Sequence, residues 1–345
     1  MLKENTHSSS FANDLPALTR VSLGSAVVLG LLKGKLETEP TTAYLMTYKR
    51  GKCTANCSFC PQARKSRGRA DMLSRVSWPV FPTEIMLRGL ETVAKDGKVK
   101  RVCVQALNYP QVFKHLSALV LAIDQCTKIP ISVSCQPPNR KSIKLLDEAN
   151  AERIGIPLDA VTKELFDKIK GKSAGGLYGW EKQFELLNEA VGIFGKGKVS
   201  THLIIGLGET EEESIAIIQR CADMGVLSGL FAFTPISGTT LEKKCQPSIE
   251  VYRRIQLARY LILQKLTKFE NMRFDGEGRI EDFGVNKQVL MKSIQTGKAF
   301  RTSGCPDCNR PYYNEKPSGP IYNFPRELTE KELSEVRKQL GMNEA

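Results

Sequence analysis

No run in the sequence is both long and apolar enough to cross a bilayer. The best candidate, AVVLGLL at residues 26–32, falls far short of the roughly 20 residues a spanning helix needs. The opening stretch MLKENTHSSSFANDLPALTR is too polar for the apolar segment of a secretory signal, so a cytoplasmic protein without membrane engagement is expected. There is no internal repeat, no low-complexity tract, no arginine-rich tail and no motif interleaving aromatic with basic residues. Nucleic acid is therefore not the expected partner. Histidine is scarce, at three residues, and His202 stands alone within a β-branched run, where a structural role is expected. Ten cysteines in a reducing compartment do not read as a disulfide framework, and many of them fall in close-spaced sets that suit metal better.

What is present suits a folded globular protein. Hydrophobic residues make up 41% and charged residues 25% of 345 residues, enough apolar material for a sizeable core. The formal charge of +13, from 50 Lys and Arg against 37 Asp and Glu, implies attraction to something acidic: nucleic acid, an anionic membrane surface or a carrier protein.

Residues 1 to about 18 read as a loose tail, followed by a helical pattern from Arg20 to Leu36. Beyond a Pro/Thr break, short β-branched runs recur near residues 42–48, 100–107, 130–136, 152–159, 198–208, 229–236 and 270–276. Between them lie amphipathic stretches with apolar residues at i, i+3 and i+4, such as FPTEIMLRGLETVAKDG and EEESIAIIQRCADMG. Such alternation predicts an α/β fold with a parallel sheet, and the even spacing favours a (β/α) barrel of TIM type, complete or partial, over an open doubly wound sheet. The organisation expected is an N-terminal extension with one helix (1–40), the barrel (41–300), and a C-terminal segment of loop plus terminal helix (301–345).

The most specific feature is KCTANCSFCPQAR directly after the first barrel strand, in which Cys53, Cys57 and Cys60 are spaced C-x3-C-x2-C. Three thiolates on one short loop can wrap a cuboidal iron-sulfur cluster and leave one iron open; the alternative is a zinc knuckle lacking its fourth ligand. A position at the C-terminal end of a barrel strand is where active sites of such folds sit. The motif closely resembles that of the radical S-adenosylmethionine (SAM) superfamily. The resemblance implies that Cys53, Cys57 and Cys60 hold a 4Fe-4S cluster whose open iron is chelated by SAM, that SAM is split reductively to a 5'-deoxyadenosyl radical, and that Phe59 packs near the adenine.

Other segments extend the likeness. LIIGLGETEEE at 203–213 resembles the fifth-strand motif, particularly that of biotin synthases, which makes Gly206, Gly208 and Glu209 candidates at the SAM site. GIPLD at 155–159 is similar to the fourth-strand segment whose aspartate meets the ribose, so Asp159 is a candidate, against the plain reading of a solvent-facing Asp at a strand end. FTPISGT at 233–239 resembles the sixth-strand turn around the adenine and contributes Pro235. The second-strand segment departs from the pattern, reading Gln105, Ala106, Leu107 where small Gly and Glu residues normally meet the methionine amino group.

RTSGCPDCNRPYYNE at 301–315 carries Cys305 and Cys308 as a C-x2-C turn, half of a metal site, with an auxiliary iron-sulfur cluster, zinc and a bare turn all open. Cys103 and Cys135 fall where biotin synthases carry two ligands of an auxiliary cluster, although both also suit ordinary buried positions. The third cysteine of that pattern would fall near Ser200, which is not a thiolate donor, and its basic ligand could only be Arg273 or Arg279, so the complete biotin-synthase site is not expected. The hypothesis from sequence is that Cys305 and Cys308 complete the second cluster with Cys103 and Cys135 or with other donors. Cys126, Cys221 and Cys245 read as plain residues.

Across residues 40–325 the order of segments resembles the biotin-synthase-like branch, while CPDCNRPYYNE with PSGPIYNFPR is similar to archaeal-type two-component lipoyl synthases. That narrower resemblance implies sulfur insertion at unactivated carbons of an octanoyl chain on an acidic lipoyl carrier protein, a sister radical SAM subunit, and an electron donor such as ferredoxin or flavodoxin. The alternatives are a biotin synthase, another radical SAM reaction such as methylthiolation of a small molecule or RNA, and a non-catalytic zinc-binding or nucleic-acid-binding protein.

Overall fold

The computed structural model describes residues 14–342. The chain opens with β1 (Leu18–Val21) and a short α1 (Leu23–Val28), then β2 (Thr42–Thr47). A long loop carries two small strands, β3 (Met72–Leu73) and β4 (Val76–Ser77), before β5 (Val80–Pro82) and α2 (Thr83–Lys95). Alternation follows through β6 (Arg101–Gln105), α3 (Val112–Cys126), β7 (Ile131–Ser134), α4 (Arg140–Glu148) and β8 (Arg153–Gly155). Two helices, α5 (Lys163–Ile169) and α6 (Trp180–Phe194), precede β9 (Val199–Ile205), α7 (Glu211–Asp223), β10 (Val226–Ala232) and α8 (Ile249–Leu263). The remainder holds a hairpin, β11 (Arg273–Phe274) with β12 (Ile280–Asp282), then α9 (Lys287–Gln295) and α10 (Glu330–Gln339).

The main sheet runs β10-β9-β8-β7-β6-β2-β1-β5. The six strands from β2 to β10 pair in parallel, and β1 pairs antiparallel with both β2 and β5. Strand alternation decides which residues meet the helices. Val102, Val104, Ile131, Val133, Val199, Leu203 and Ile205 face outward into the core built with α2–α8, while Cys103, Gln105, Ser134, Ser200, His202 and Ile204 face inward. Tyr44 and Met46 of β2 and Phe231 of β10, five strands apart in the sheet order, line the same cavity, so the sheet curves around it as a partial barrel.

Three expectations are corrected. The helical pattern from Arg20 to Leu36 resolves into β1 and six residues of α1, because Ser22 caps the helix (its Oγ accepts from the Ser25 N–H) and Gly30 leaves helical space with φ 69°. The segment near 270–276 is no barrel strand: only Arg273 and Phe274 pair, in the separate hairpin. The run placed near 229–236 starts earlier and stops at Ala232, where the chain turns into the loop carrying Pro235. Residues 1–13, most of the expected tail, lie outside the described residues.

The carboxyl-terminal segment seals the barrel. At the β10 edge, the Leu230 N–H donates to Ser303 Oγ at 2.7 Å and the Arg310 guanidinium donates to the Leu230 carbonyl at 3.2 Å. The same segment reaches the N-terminal ends of three other strands: Asn309 Oδ1 accepts from the Thr41 N–H, Arg101 Nε donates to the Pro306 carbonyl, and Ser132 Oγ donates to Cys305 Sγ. Side chains and turns of residues 302–310 thus satisfy an open sheet edge and plug the floor of the barrel. Ser303→Ala leaves the buried Leu230 N–H unpaired, and a loss of about 1–3 kcal/mol in unfolding free energy is expected by urea titration.

Candidate active site

The cysteine loop follows β2 and is clamped from several sides. The Cys53 N–H donates to the Gln62 carbonyl at 2.9 Å, and the Arg64 N–H to Ala55 O at 2.8 Å, folding the loop on itself. The Thr54 N–H donates to Asn108 O, the Ser58 N–H to Ile169 O and the Arg67 N–H to Gly238 O, fastening it to the ends of β6, α5 and the turn after β10. Gly238 has φ 79°, and a Cβ there would collide with the backbone of Arg67 and Gly68, so glycine is required for this approach.

Cys53, Cys57 and Cys60 all line the central cavity, which has a volume of about 250 Å³. Cys53 Sγ accepts backbone N–H groups from Asn108 at 3.2 Å and Ala55 at 3.4 Å, which fixes its position on the loop. Burial pushes the Cys57 thiol up to about 12, partly offset by the Lys170 charge, and burial with the neighbouring Cys57 raises Cys60 further. Without metal these two thiols stay protonated, and bound iron would take the place of the protons. Among the described residues, no three His, Cys, Asp or Glu side chains converge on a single ion. A cuboidal cluster engages each thiolate through a different iron and needs no such convergence, so the donor set fits a 4Fe-4S group.

Beside the loop, Asp159 and Lys170 form a buried ion pair at 2.7 Å, with the Lys170 ammonium also donating to Pro157 O at 2.8 Å and lying 5.1 Å from the Tyr178 ring centroid. Both line the cavity, as do Phe59, Asn108 and Tyr178, and the Asn108 amide donates to the Tyr178 hydroxyl. The sequence pointed to Asp159 and Phe59 but not to Lys170, whose one signal is its place four residues after the buried Phe166, at the C-terminal cap of α5.

Gly206, Gly208, Glu209 and Pro235 do not reach the cavity lining; Ile204, Thr234 and Ile236 do so instead. The reason is local. Glu209 turns back to accept the N–H groups of Gly206 and Leu207, the latter at 2.9 Å, while Gly206 has φ 106° and sits against Pro247 with no room for a Cβ. This turn ends β9 and sets the start of α7, capped by Thr210 and Glu213.

At the floor, Cys103, Cys305 and Cys308 line the same cavity. Their thiols act on one another: burial and then Cys305 and Cys308 raise Cys103. Cys308 Sγ lies 3.2 Å from the Tyr44 hydroxyl, and Gln105 Nε2 donates to Cys103 Sγ at 3.2 Å. Cys135 lines the same cavity and also packs in the core with Val133, and burial alone raises its thiol. Ser200 lines the cavity, whereas Arg273 and Arg279 are exposed on the hairpin. A basic group that lines the floor is Arg310, stacked 3.8 Å over the Phe231 ring; its signal was adjacency to the C-x2-C turn. His202 also lines the cavity, 4.8 Å from the Phe231 ring centroid, rather than serving only as packing.

The profile of the Radical SAM superfamily matches residues 50–221. A protein named biotin synthase from Methanococcus maripaludis is 22% identical over 271 residues, covering 75% of this chain and 77% of its own length. Another of that name, from a Sulfurihydrogenibium species, is 26% identical over 206 residues, 58% of this chain and 57% of its own. The crystal structure of HydG, a maturase of the FeFe-hydrogenase, superposes with a TM-score of 0.51 at 14% identity, over 64% of this chain and 49% of that one, a likeness of fold.

Two measurements probe this wall. Lys170→Met strands the buried Asp159 carboxylate and should cost about 3–5 kcal/mol of stability, part of it recovered in Asp159→Asn/Lys170→Met, as a urea-unfolding cycle would register. Burial depresses the His202 imidazole from 6.5 to about 4, with Asp159 opposing and Arg310 and Lys170 reinforcing. Between those values the unfolded chain binds the extra proton, so His202 lowers stability as pH falls from 6.5 toward 4 and has no effect above. His202→Gln should flatten the dependence of the urea midpoint on pH across that window.

Proposed function

Because the chain belongs to the radical SAM superfamily, we propose that it is a radical SAM enzyme that inserts sulfur at an unactivated carbon of a protein-bound octanoyl chain. The observation that carries this reading is that two sets of thiols, Cys53, Cys57 and Cys60 at the mouth and Cys103, Cys305 and Cys308 at the floor, line one cavity. The chemistry supplied at the mouth by a 4Fe-4S cluster and SAM is reductive cleavage of the sulfonium to methionine and a 5'-deoxyadenosyl radical, which removes a hydrogen atom from the substrate. The floor thiols would hold a second iron-sulfur cluster as the source of sulfur, with Tyr44 and Arg310 fixing the turn: the Tyr44 hydroxyl accepts the Arg310 N–H at 3.0 Å.

The chain's own groups prepare the space between. Met46, Trp78, Leu107, Phe231 and Phe233 give walls suited to an alkyl chain and exclude water from a reactive radical. The Asp159–Lys170 pair and the Asn108–Tyr178 contact place fixed polar groups beside the cluster loop for the polar parts of SAM. An acidic lipoyl carrier protein as bearer of the octanoyl chain, and a sister subunit for a second insertion, follow from the same reading. The relatives named biotin synthase support a second one: sulfur insertion into a small molecule to form biotin.

Anaerobically reconstituted protein should contain about eight irons with matching sulfide, falling to about four in Cys305→Ala. Cys53→Ala should abolish 5'-deoxyadenosine formation, whereas Cys305→Ala should keep it and lose the thiolated product. Mass analysis of an octanoyl-lysyl peptide after turnover should show added sulfur. If sulfur goes instead to the unsulfurated precursor of biotin, the acceptor reading is wrong; zinc without sulfide removes the radical reading altogether.

A further inference from the structure

Each of the three floor thiols is met by one polar side chain, and each of those side chains comes from a different barrel strand. Gln105 and Cys103 lie two residues apart on β6 and so share its inward face, where Gln105 Nε2 donates to Cys103 Sγ at 3.2 Å. Ser132 Oγ of β7 donates to Cys305 Sγ at 3.3 Å, and the Tyr44 hydroxyl of β2 lies 3.2 Å from Cys308 Sγ. The mouth is built differently. Among the described residues no side chain donates to Cys53, Cys57 or Cys60, and Cys53 takes backbone N–H groups instead. Gln105 is also where the second-strand segment departs from its family pattern, and a glycine there would leave Cys103 without this donor.

The direction of these contacts is set by their other partners. The Arg310 N–H donates into the Tyr44 oxygen at 3.0 Å, and Arg101 Nη1 donates into Ser132 Oγ at 3.0 Å. Arg101 is itself held by Glu152 at 2.6 Å and by the Pro306 carbonyl at 3.2 Å. A hydroxyl whose oxygen already accepts still has its own proton to place, and a metal-bound thiolate can only accept. With the floor occupied, both hydroxyl protons and one amide proton are therefore directed at sulfur.

Resting on the function proposed above, we infer that Tyr44, Gln105 and Ser132 are positioning residues of the floor site: each donates one hydrogen bond to one sulfur ligand, and together they stabilise the reduced form of the iron-sulfur group held there. Hydrogen bonds to ligand sulfur are among the factors that set the potential of such groups. A carbon radical that takes a sulfur atom forms its bond from the radical's electron and one electron of a sulfur pair, and the other electron of that pair passes to a ferric iron of the same group. The electron count closes without an outside oxidant. Negative charge grows on the floor group in that step, and donors aimed at its thiolates favour it.

The test isolates the floor group in the full chain carrying Cys53→Ala, Cys57→Ala and Cys60→Ala, reconstituted anaerobically and titrated against redox dyes with electron paramagnetic resonance as readout. Tyr44→Phe, Gln105→Met and Ser132→Ala are added singly and together. At a fixed applied potential the reduced-to-oxidised ratio should fall about threefold for each change and about tenfold or more for all three, tenfold being about 59 mV for one electron. Iron and sulfide content should stay the same. In the Cys305→Ala chain, where the mouth group alone forms, the same three changes should move its ratio less than about twofold, against the tenfold expected at the floor. Unchanged ratios with the floor group retained overturn the inference and leave the proposed function standing, and so does an equal shift of both groups. Should a variant lose its iron, Raman spectra of the floor group with all three donors present decide: iron–thiolate bands that shift in D2O support the inference, and bands that stay put overturn it. A chain whose intact floor cysteines take up no iron overturns the proposed function, and the inference falls with it.

Discussion

Three cysteines on a loop hold a cluster open at one corner only if the loop backbone cannot relax away from the geometry the cluster imposes. Here that constraint falls on hydrogen bonds between the loop and three distant segments: Thr54 to Asn108, Ser58 to Ile169 and Arg67 to Gly238. Each partner sits just beyond the end of a barrel strand or a neighbouring helix, so curvature of the sheet and placement of the thiols are one problem. Asn108 supplies its carbonyl to the loop, its N–H to Cys53 Sγ and its side chain to Tyr178, linking the first thiol to the next layer of the wall.

Much of this was legible from the sequence because it is local. The parallel strands announce themselves as β-branched runs whose outward residues must be apolar and whose inward residues need not be. The cysteine loop is visible because its ligands lie within eight residues of one another. Identity at one position is weaker information where the backbone can use a side chain internally. Glu209 looked like a ligand-facing acid, but its carboxylate does better satisfying the two N–H groups of the turn that precedes α7.

What the sequence hid is what depends on distant contact. Lys170 looks like one of many lysines, and only its pairing with Asp159, across a turn of ten intervening residues, explains how an ammonium can be wholly buried. Arg310 was passed over for Arg273 and Arg279 because nothing local shows that residues 302–310 fold under the barrel while the hairpin stays outside. Cys135, just past the end of β7, sits at the boundary, lining the cavity with Ser134 and packing in the core with Val133, a position that sequence likeness to Cys103 does not reveal.

The floor plug also bears on how the cavity can work. Its thiols arrive on a segment tied to β10 by Ser303 and Arg310, to β2 by Asn309 and Tyr44, and to β6 and β7 by Arg101 and Ser132. A group bound there is held by four strands, whereas the mouth is bounded by loops. A ligand must therefore enter from the mouth, and one long enough to reach the floor passes Phe231 and His202. Between the two sets of thiols the lining mixes apolar side chains such as Phe231 with the polar Gln105, Ser134, Ser200 and His202. On the function proposed above, sulfur held at that floor would be the group nearest a substrate radical formed deep in the cavity.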